Sequence, residues 1–173
     1  MPFEPGQPAP TLLAIFIAPT AGAPMQTVQS CRAVPGRGLE GDRYFEGAGS
    51  FSRWLGPHRD VTFIAREDVE WIEATHDLGV PARDYRRNLL VEGVEMQDLI
   101  GRTFSVGDVT FRGERWCQPC KALGRRLGIA DFVRKTSRRT GIRARILTEG
   151  LIHVGDELAM LGERRAGRFS DLT

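Results

Sequence analysis

The chain has 173 residues, of which 41% are hydrophobic and 27% charged, a composition typical of a folded globular protein rather than a disordered or fibrous one. Its 24 basic and 22 acidic side chains nearly balance, which argues against a broad nucleic-acid-binding surface. Twenty glycines and ten prolines indicate many turns between short elements, as in a β-rich fold.

The first apolar run, residues 12–18, has only seven residues and no basic residue before it. It is therefore too short and wrongly flanked for a signal peptide or a membrane-spanning helix. The three cysteines are an odd number, which does not suit a secreted disulfide framework. We therefore expect a cytoplasmic protein without a membrane partner.

Short apolar or alternating runs predict seven or eight strands, and helical periodicity predicts about three short helices. The predicted strands are 11–19, 26–34, 60–65, 86–94, a hairpin over 102–114, 141–150 and 156–162, with 151–155 as a connection. The predicted helices are 66–79, 119–127 and 130–139, and 96–101 is a short turn or helix. Strands and helices do not alternate regularly, so the pattern favours a mainly β, barrel-like fold. We expect a single domain over 1–173, with its core in about 12–160 and polar, flexible ends at 1–10 and 163–173.

The glycine-rich stretch 35–60 contains Gly36-x-Gly38-x-x-Gly41, which matches the dinucleotide-binding fingerprint. That fingerprint needs a helix starting at its last glycine, and the sequence that follows, "DRYFEGAGSF", does not predict one. The glycines are instead expected to allow positive φ angles and a close approach of this loop to another segment.

Residues 116–121, W-C-Q-P-C-K, resemble the active-site run of thioredoxins. The context differs, because the 53 residues after Cys120 contain no proline to face a disulfide and the preceding strand belongs to a tight hairpin. A structural zinc site needs four ligands, and the other cysteine and the histidines are scattered. These are Cys31, His58, His76 and His153. A thiol-disulfide oxidoreductase using Cys117 and Cys120 remains an alternative, and Cys31 is expected to be a small core residue.

Several segments taken in order resemble the MOSC domain, the C-terminal module of molybdenum-cofactor sulfurases that also occurs as small stand-alone bacterial proteins. They are "GLEGDRY", "RDVTFIAREDVEWI", "YRRNLLVEGV", "LIGRTFSVGDVTFRGERWCQPC" and "GIRARILTEGLIHVGDEL", and the similarity runs from about residue 12 to residue 160. The resemblance implies a β-barrel-like fold with small peripheral helices. It also implies the handling of sulfur or molybdenum cofactor through one cysteine, which falls on Cys120 as the catalytic thiol or molybdenum ligand. Cys117 matches a second thiol that a subset of relatives carries.

The family's R-x-N element falls on Arg86 and Asn88, and Arg87 lies between them. Two guanidinium groups and an amide suit a phosphate through charge-assisted hydrogen bonds, here the phosphate of the pterin. Adjacent strand residues point to opposite faces, however, so one arginine could instead pair with a surface carboxylate. Asp42 and Arg43 are expected either to contact the cofactor or to form an ion pair that closes the glycine-rich loop over the site.

Two further features bear on the site. Many small bacterial members of the family have histidine after G-D-R, whereas this chain has Tyr44, so this protein either lacks any chemistry of that histidine or does something different. Pro119 suits the first position of a helix, which would put Cys120 in its first turn, where the positive end of the helix favours a negative charge on sulfur. Cys117 precedes that helix and is better placed to resolve a persulfide than to attack first.

The expected function is therefore binding of molybdenum cofactor, carriage of sulfur as a persulfide, or both, in sulfur transfer or cofactor-dependent reduction. The cofactor is molybdopterin with its metal, and pyridoxal phosphate is expected only on a partner cysteine desulfurase. Reduction would need an electron-transfer partner, because nothing in the sequence resembles a haem, flavin or iron–sulfur site. A molybdopterin chaperone without chemistry of its own remains an alternative.

Overall fold

The computed structural model describes residues 6–45, 47 and 60–162, and most of its regular structure is strand. The described strands are β1 Thr11–Ile17, β2 Gln26–Val28, β3 Ser30–Val34, β4 Gly38–Leu39, β5 Val61–Ala65, β6 Leu89–Glu92, β7 Thr103–Val106, β8 Val109–Trp116, β9 Ile142–Ile146, β10 Gly150–His153 and β11 Leu158–Met160. The described α-helices are α1 Arg66–His76, α2 Met96–Leu99, α3 Lys121–Leu127 and α4 Phe132–Thr136, and a 3-10 turn covers Ala82–Tyr85. The predicted mainly β fold with few short helices is confirmed.

Parts of three predicted segments lie outside the described residues. They are 1–5 and 163–173 of the two ends, and 46 and 48–59 of the glycine-rich stretch, which include His58.

One sheet of eight strands forms the body of the molecule, in the order β11-β7-β8-β9-β5-β6-β1-β2. Its neighbours pair antiparallel, except for the parallel pair β5 and β6. The β11 edge reaches the start of β1, where Leu12 N–H donates to Asp156 O at 2.9 Å and Leu158 N–H donates to Pro10 O at 2.7 Å. These bonds curl the sheet into the expected barrel, and β2 extends from β1 beyond the closure.

Side chains that alternate inward along the strands fill the barrel. Phe63 lies at the centre, with its ring 5.3 Å from that of Phe104 and 5.2 Å from that of Phe111, both edge-on. All three are fully buried, and aromatic pairs at these distances and angles add to the burial of apolar area. Strands β5, β7 and β8 are thereby held to one another through the barrel interior.

A second apolar cluster lies on the outer face of β5 and β6 and holds the helices. Ile64 of β5 packs with Ile72 of α1, Leu123 of α3 and Phe132 of α4. Helix α1 follows the predicted periodicity but ends at His76, because Asp77 adopts a left-handed conformation and donates its N–H to Glu73 O. This cluster fixes α3, whose first turn follows the cysteine segment.

Two details of the strand prediction are wrong, and both concern a second sheet with the order β10-β3-β4. Segment 26–34 is not one strand, since Gln29 separates β2 from β3 and the two join different sheets. Residues 151–155 are not a plain connection, because β10 pairs with β3 over most of their length. Long-range pairing, which local periodicity does not report, decides both points.

The glycine-rich stretch also contains the short strand β4, and its expected close approach is confirmed at Gly38. This residue has a φ of 104°, and a Cβ there would lie 2.7 Å from the carbonyl oxygen of Asp60. Only glycine fits without moving the backbone that leads into β5. Within residues 6–45, 47 and 60–162, no helix combines the length and apolar character needed to cross a membrane.

Candidate functional site

A cavity of about 910 Å³ opens where β8 ends, α3 begins and the chain enters β6. It gathers six of the seven predicted site residues, namely Arg43, Arg86, Arg87, Asn88, Cys117 and Cys120. The seventh, Asp42, does not line the cavity and lies behind Arg43, to which it is hydrogen-bonded. The volume is that of a small-molecule site, and several of its walls carry positive charge.

Cys120 is half-buried in the cavity wall and is the N-cap of α3. Its backbone is extended, with φ −118° and ψ 152°, and its Sγ accepts a hydrogen bond from the N–H of Leu123 at 3.4 Å. The predicted placement within the first helical turn is therefore wrong, because the helix begins one residue later, at Lys121. The extended cap conformation is what lets a short side chain turn back to a free N–H of the first turn.

The side chain of Arg87 holds the cysteine segment in place through hydrogen bonds to backbone carbonyls. Its Nε donates to Thr140 O at 2.6 Å, and its Nη2 donates to Cys117 O at 3.2 Å and to Gln118 O at 3.5 Å. Cys117 O also accepts from Thr140 Oγ1 at 2.8 Å. Because Arg87 is only 8% exposed and has three carbonyl partners, most of its donors hold protein backbone in place.

The side chain of Asn88, which lies just before β6, links β5 and β1 at the floor of the cavity. Its Oδ1 accepts from Thr62 N at 3.2 Å and Thr62 Oγ1 at 3.0 Å, and its Nδ2 donates to Phe16 O at 3.2 Å. The predicted strand from residue 86 begins only at Leu89, so the argument that Arg86 and Arg87 point to opposite faces of a strand does not apply. One N–H of the Asn88 amide is left for the cavity.

Arg86 presents a guanidinium group to the cavity from a left-handed backbone conformation, with φ 59°. Its Nη1 donates to Ala23 O at 2.7 Å. Burial lowers the pKa of Arg86 first, and the positive charges of Arg43 and Arg126 lower it further, against the opposing effects of Tyr44 and Asp42. Arg86 therefore lies close enough to two other guanidinium groups to be repelled by both, which is an arrangement that an anion relieves.

Asp42 and Arg43 form the expected ion pair, with Arg43 Nη1 3.1 Å from Asp42 Oδ1. The carboxylate of Asp42 also accepts from Ala18 N at 2.9 Å and from Tyr44 N at 3.4 Å. The guanidinium of Arg43 lies over the ring of Tyr44, 4.6 Å from its centroid, and Tyr44 lines the cavity. Asp42 thus holds Arg43 and Tyr44 at the wall of the cavity.

Sequence reasoning missed three cavity arginines, Arg115, Arg126 and Arg143. Arg126 lies on α3 and donates to Gly22 O at 2.7 Å, while Arg115 and Arg143 lie on β8 and β9. Their positions depend on the pairing of strands and on the docking of α3, so spacing along the chain gave no signal. Trp116, also in the wall, packs against the barrel core.

The third thiol, Cys31, is 7% exposed in β3 and joins the barrel core, as predicted. Burial, followed by the negative charges of Asp42 and Glu40, raises its pKa from 9.0 to about 11. Among the described residues, no group of three or more histidine, cysteine or acidic side chains is arranged to hold a metal ion.

The fold has counterparts among solved structures. The YUAD protein of Bacillus subtilis superposes with a TM-score of 0.69 at 19% identity, over 87% of this chain and 95% of its own. YiiM of Geobacillus stearothermophilus gives 0.67 at 16% identity, over 91% and 77%. YiiM of Escherichia coli gives 0.63 at 18% identity, over 88% and 70%. Identities this low relate the folds alone.

No curated protein matches the sequence. The family model of the MOSC domain matches residues 51–159, which is more than half of the chain and includes the cavity's β5, β6, β8, α3 and β9. This chain belongs to the MOSC domain family.

Proposed function

We propose that the chain binds the molybdenum cofactor in the cavity described above, with Cys120 as the thiol that meets the metal. The observation that carries this proposal is the half-buried thiol of Cys120 in a cavity of about 910 Å³ whose wall also holds Arg86 and the two arginines that repel it, Arg43 and Arg126. Family membership supports it, because MOSC domains are associated with this cofactor.

The residues present fit such a group. A thiolate is a soft ligand that suits a transition metal, and a cluster of guanidinium groups suits the pterin's phosphate. When bound, the cofactor supplies two-electron redox chemistry at molybdenum.

Each residue of the chain then has a separate part. Arg86, Arg43 and Arg126 bind the phosphate. Arg87 keeps the cysteine segment in position through its carbonyl contacts, and Asn88 fixes the floor with one N–H available. Reduction of a substrate also requires an electron-transfer partner.

A second candidate function, sulfur carriage, is supported by the hydrogen bond from Leu123 N–H to Cys120 Sγ, which stabilises negative charge on that sulfur. In the transfer step the Cys120 thiolate attacks the terminal sulfur of a donor persulfide. The donor's S–S bond breaks, the donor leaves as a thiolate, and Cys120 carries the persulfide. The donor would be a cysteine desulfurase that holds its own pyridoxal phosphate.

The test is anaerobic purification from a host that makes the cofactor, followed by molybdenum analysis, pterin analysis and intact mass. Wild-type protein should carry stoichiometric molybdenum and pterin, or a reducible extra sulfur on Cys120. Cys120→Ser should lose the metal or the extra sulfur, whereas Cys117→Ser should keep a measurable fraction.

Cys31→Ser is the matched control, because that thiol lies in the core and away from the cavity wall. Wild-type protein without metal, pterin or persulfide would contradict both functions. Pterin retained by Cys120→Ser, with no loss of metal, would favour a chaperone that holds the cofactor without this thiol.

A further inference from the structure

The ladder between β8 and β9 contains two pairs of arginines directly opposite each other. Arg112 faces Arg145, and Arg115 faces Arg143. Directly opposite residues in an antiparallel pair have Cβ atoms about 4.5–5.5 Å apart, and like charges there are destabilising. Two such pairs in one short ladder need a reason.

The second pair exists because β8 carries a bulge. The register runs from Gly113 opposite Ala144 to Arg115 opposite Arg143, so Glu114 is passed over. A regular ladder would have put Glu114 opposite Arg143, a favourable acid–base pair. Bulges occur often beside functional sites, where they re-aim side chains. Here the bulge replaces an attractive cross-strand pair with a repulsive one.

The two arginine pairs differ in their surroundings. Glu114 lies 3.2 Å from Arg145 Nη2, so the first pair has a counter-charge. Neither Arg115 nor Arg143 forms an ion pair or a side-chain hydrogen bond with any residue in the described ranges. Both line the cavity that contains Cys120, and neither member of the first pair does. The uncompensated charge of β8 and β9 therefore faces the site.

We propose that Arg115 and Arg143 anchor the carboxylate or other oxyanion of an acidic small-molecule substrate. This inference rests on the proposed function, since it names the class of substrate for the same cavity. Two guanidinium groups on one face can hold an oxyanion through paired charge-assisted hydrogen bonds.

The location separates this anchor from the one assigned to the cofactor's phosphate. Arg43, Arg86 and Arg126 come from the glycine-rich stretch, the segment before β6 and helix α3, whereas Arg115 and Arg143 lie opposite each other on β8 and β9. Arg43 is buried, Arg86 and Arg143 are half-buried, and Arg126 and Arg115 are exposed, so the supporting elements distinguish the two groups and burial does not. Oxyanions from either source share the same chemistry, so the experiment must tell them apart.

The probes are benzoate and benzamide, a carboxylate and a neutral amide of nearly the same shape, titrated into the protein as purified and followed by ligand-observed NMR at low ionic strength. Arg115→Gln with Arg143→Gln should weaken benzoate binding by about tenfold or more, whereas benzamide binding stays the same. Arg112→Gln with Arg125→Gln removes the same charge outside the cavity wall and should change benzoate binding by less than about twofold.

Molybdenum and pterin content of the same samples distinguishes the two sources of oxyanion. The Arg115 and Arg143 variant should keep the wild-type content; a loss would mean that the pair holds the cofactor's phosphate and would overturn the proposal. Equal benzoate affinity in the two double variants, or a wild-type protein that binds benzoate no better than benzamide, would also overturn it. If the wild type contains no cofactor, the proposed function fails, but the benzoate comparison still decides whether the anion anchor exists.

Discussion

Arg87 and Arg143 line the same cavity, but the protein surrounds their guanidinium groups differently. Arg87 is buried and donates to the backbone carbonyls of Cys117 and Gln118, within the cysteine segment, and to that of Thr140. Arg143 has no such partner among the described residues and faces another arginine across the ladder. A saturated arginine holds the scaffold, and an unsaturated one is available to a ligand. Charge alone, which is all that the sequence displays, does not separate these roles.

Cys117 and Cys120 differ in the same way as these two arginines. Cys117 is 3% exposed, and its carbonyl and N–H groups tie the segment to Thr140 and Gly141. Cys120, three residues later, keeps its thiol in the cavity wall. The Cys-x-x-Cys motif therefore joins one scaffold residue to one residue available for chemistry.

The largest loss of stability is expected from a substitution at Gly141, which holds the backbone of the cysteine segment in place. This glycine accepts the N–H of Cys117 at 2.8 Å and has a φ of 85°. A Cβ there would collide with the carbonyl of Phe63 in β5. Gly141→Ala should lower the free energy of unfolding by more than about 3 kcal/mol, measured by urea denaturation.

Gly128→Ala is the matched control, because Gly128 also has a positive φ, 69°, but no atom lies near its missing Cβ. It should cost only the left-handed strain, about 1–2 kcal/mol. Equal losses in the two variants would show that the contact with Phe63 is not what restricts Gly141.

The second-largest loss of stability is expected when Arg87 is replaced, and its neighbour Arg86 serves as the comparison. Arg87→Met removes the donors to Thr140, Cys117 and Gln118, and should cost about 2–4 kcal/mol in the free energy of unfolding. Arg86→Met removes one bond, to Ala23 O, and should cost less than about 1 kcal/mol. Pterin binding should show the opposite pattern, because Arg86→Met should lose bound pterin while its fold stays intact.

Urea denaturation and pterin content of the same preparations check both statements. A stable Arg87→Met protein with reduced pterin would show that Arg87 binds the ligand rather than supporting the scaffold. An Arg86→Met protein that unfolds as easily as Arg87→Met would erase the distinction.

The sequence was informative where local chemistry decides the structure. Short runs bounded by glycine predicted the barrel class, periodicity predicted α1 nearly to its ends, and the ordered motifs predicted the segment that contains Cys120. The core position of Cys31 followed from its alternating strand.

The remaining features depend on contacts between distant segments. The second sheet needs β3 to meet β10, more than 100 residues away along the chain. Arg115 and Arg143 meet only because a bulge shifts the β8–β9 register by one residue. The hydrogen-bond partners of Arg87 and Asn88, at Thr140 and Thr62, are likewise remote in sequence. No local pattern reports how many donors a tertiary contact has already used.

The buried thiol of Cys31 makes its contribution to stability depend on pH. Burial raises its pKa from 9.0 to about 11, so the folded protein keeps this proton where an unfolded chain loses it. The contribution of Cys31 to stability is therefore complete below pH 9 and declines as the pH rises from about 9 to about 11. The difference in free energy of unfolding between wild type and Cys31→Ala should narrow across this range, measured by urea denaturation at closely spaced pH values. A constant difference would mean that Cys31 titrates alike in both states.

The smallest effect is expected at Arg115 and Arg143, and it has the opposite sign. Removing one of two repelling charges should raise the free energy of unfolding of ligand-free protein by about 0.2–1 kcal/mol in Arg115→Gln or Arg143→Gln. Either substitution removes the same repulsion, so the double variant should gain little more than each single one, and a double-mutant cycle measures that non-additivity. The gain should shrink as salt is raised, because the pair is partly exposed to solvent. A loss of stability, or strictly additive gains, would mean that each arginine has its own partner in the folded chain. A salt-sensitive, non-additive gain would show that the two arginines repel each other and destabilise the ligand-free protein, an effect that a bound anion would offset.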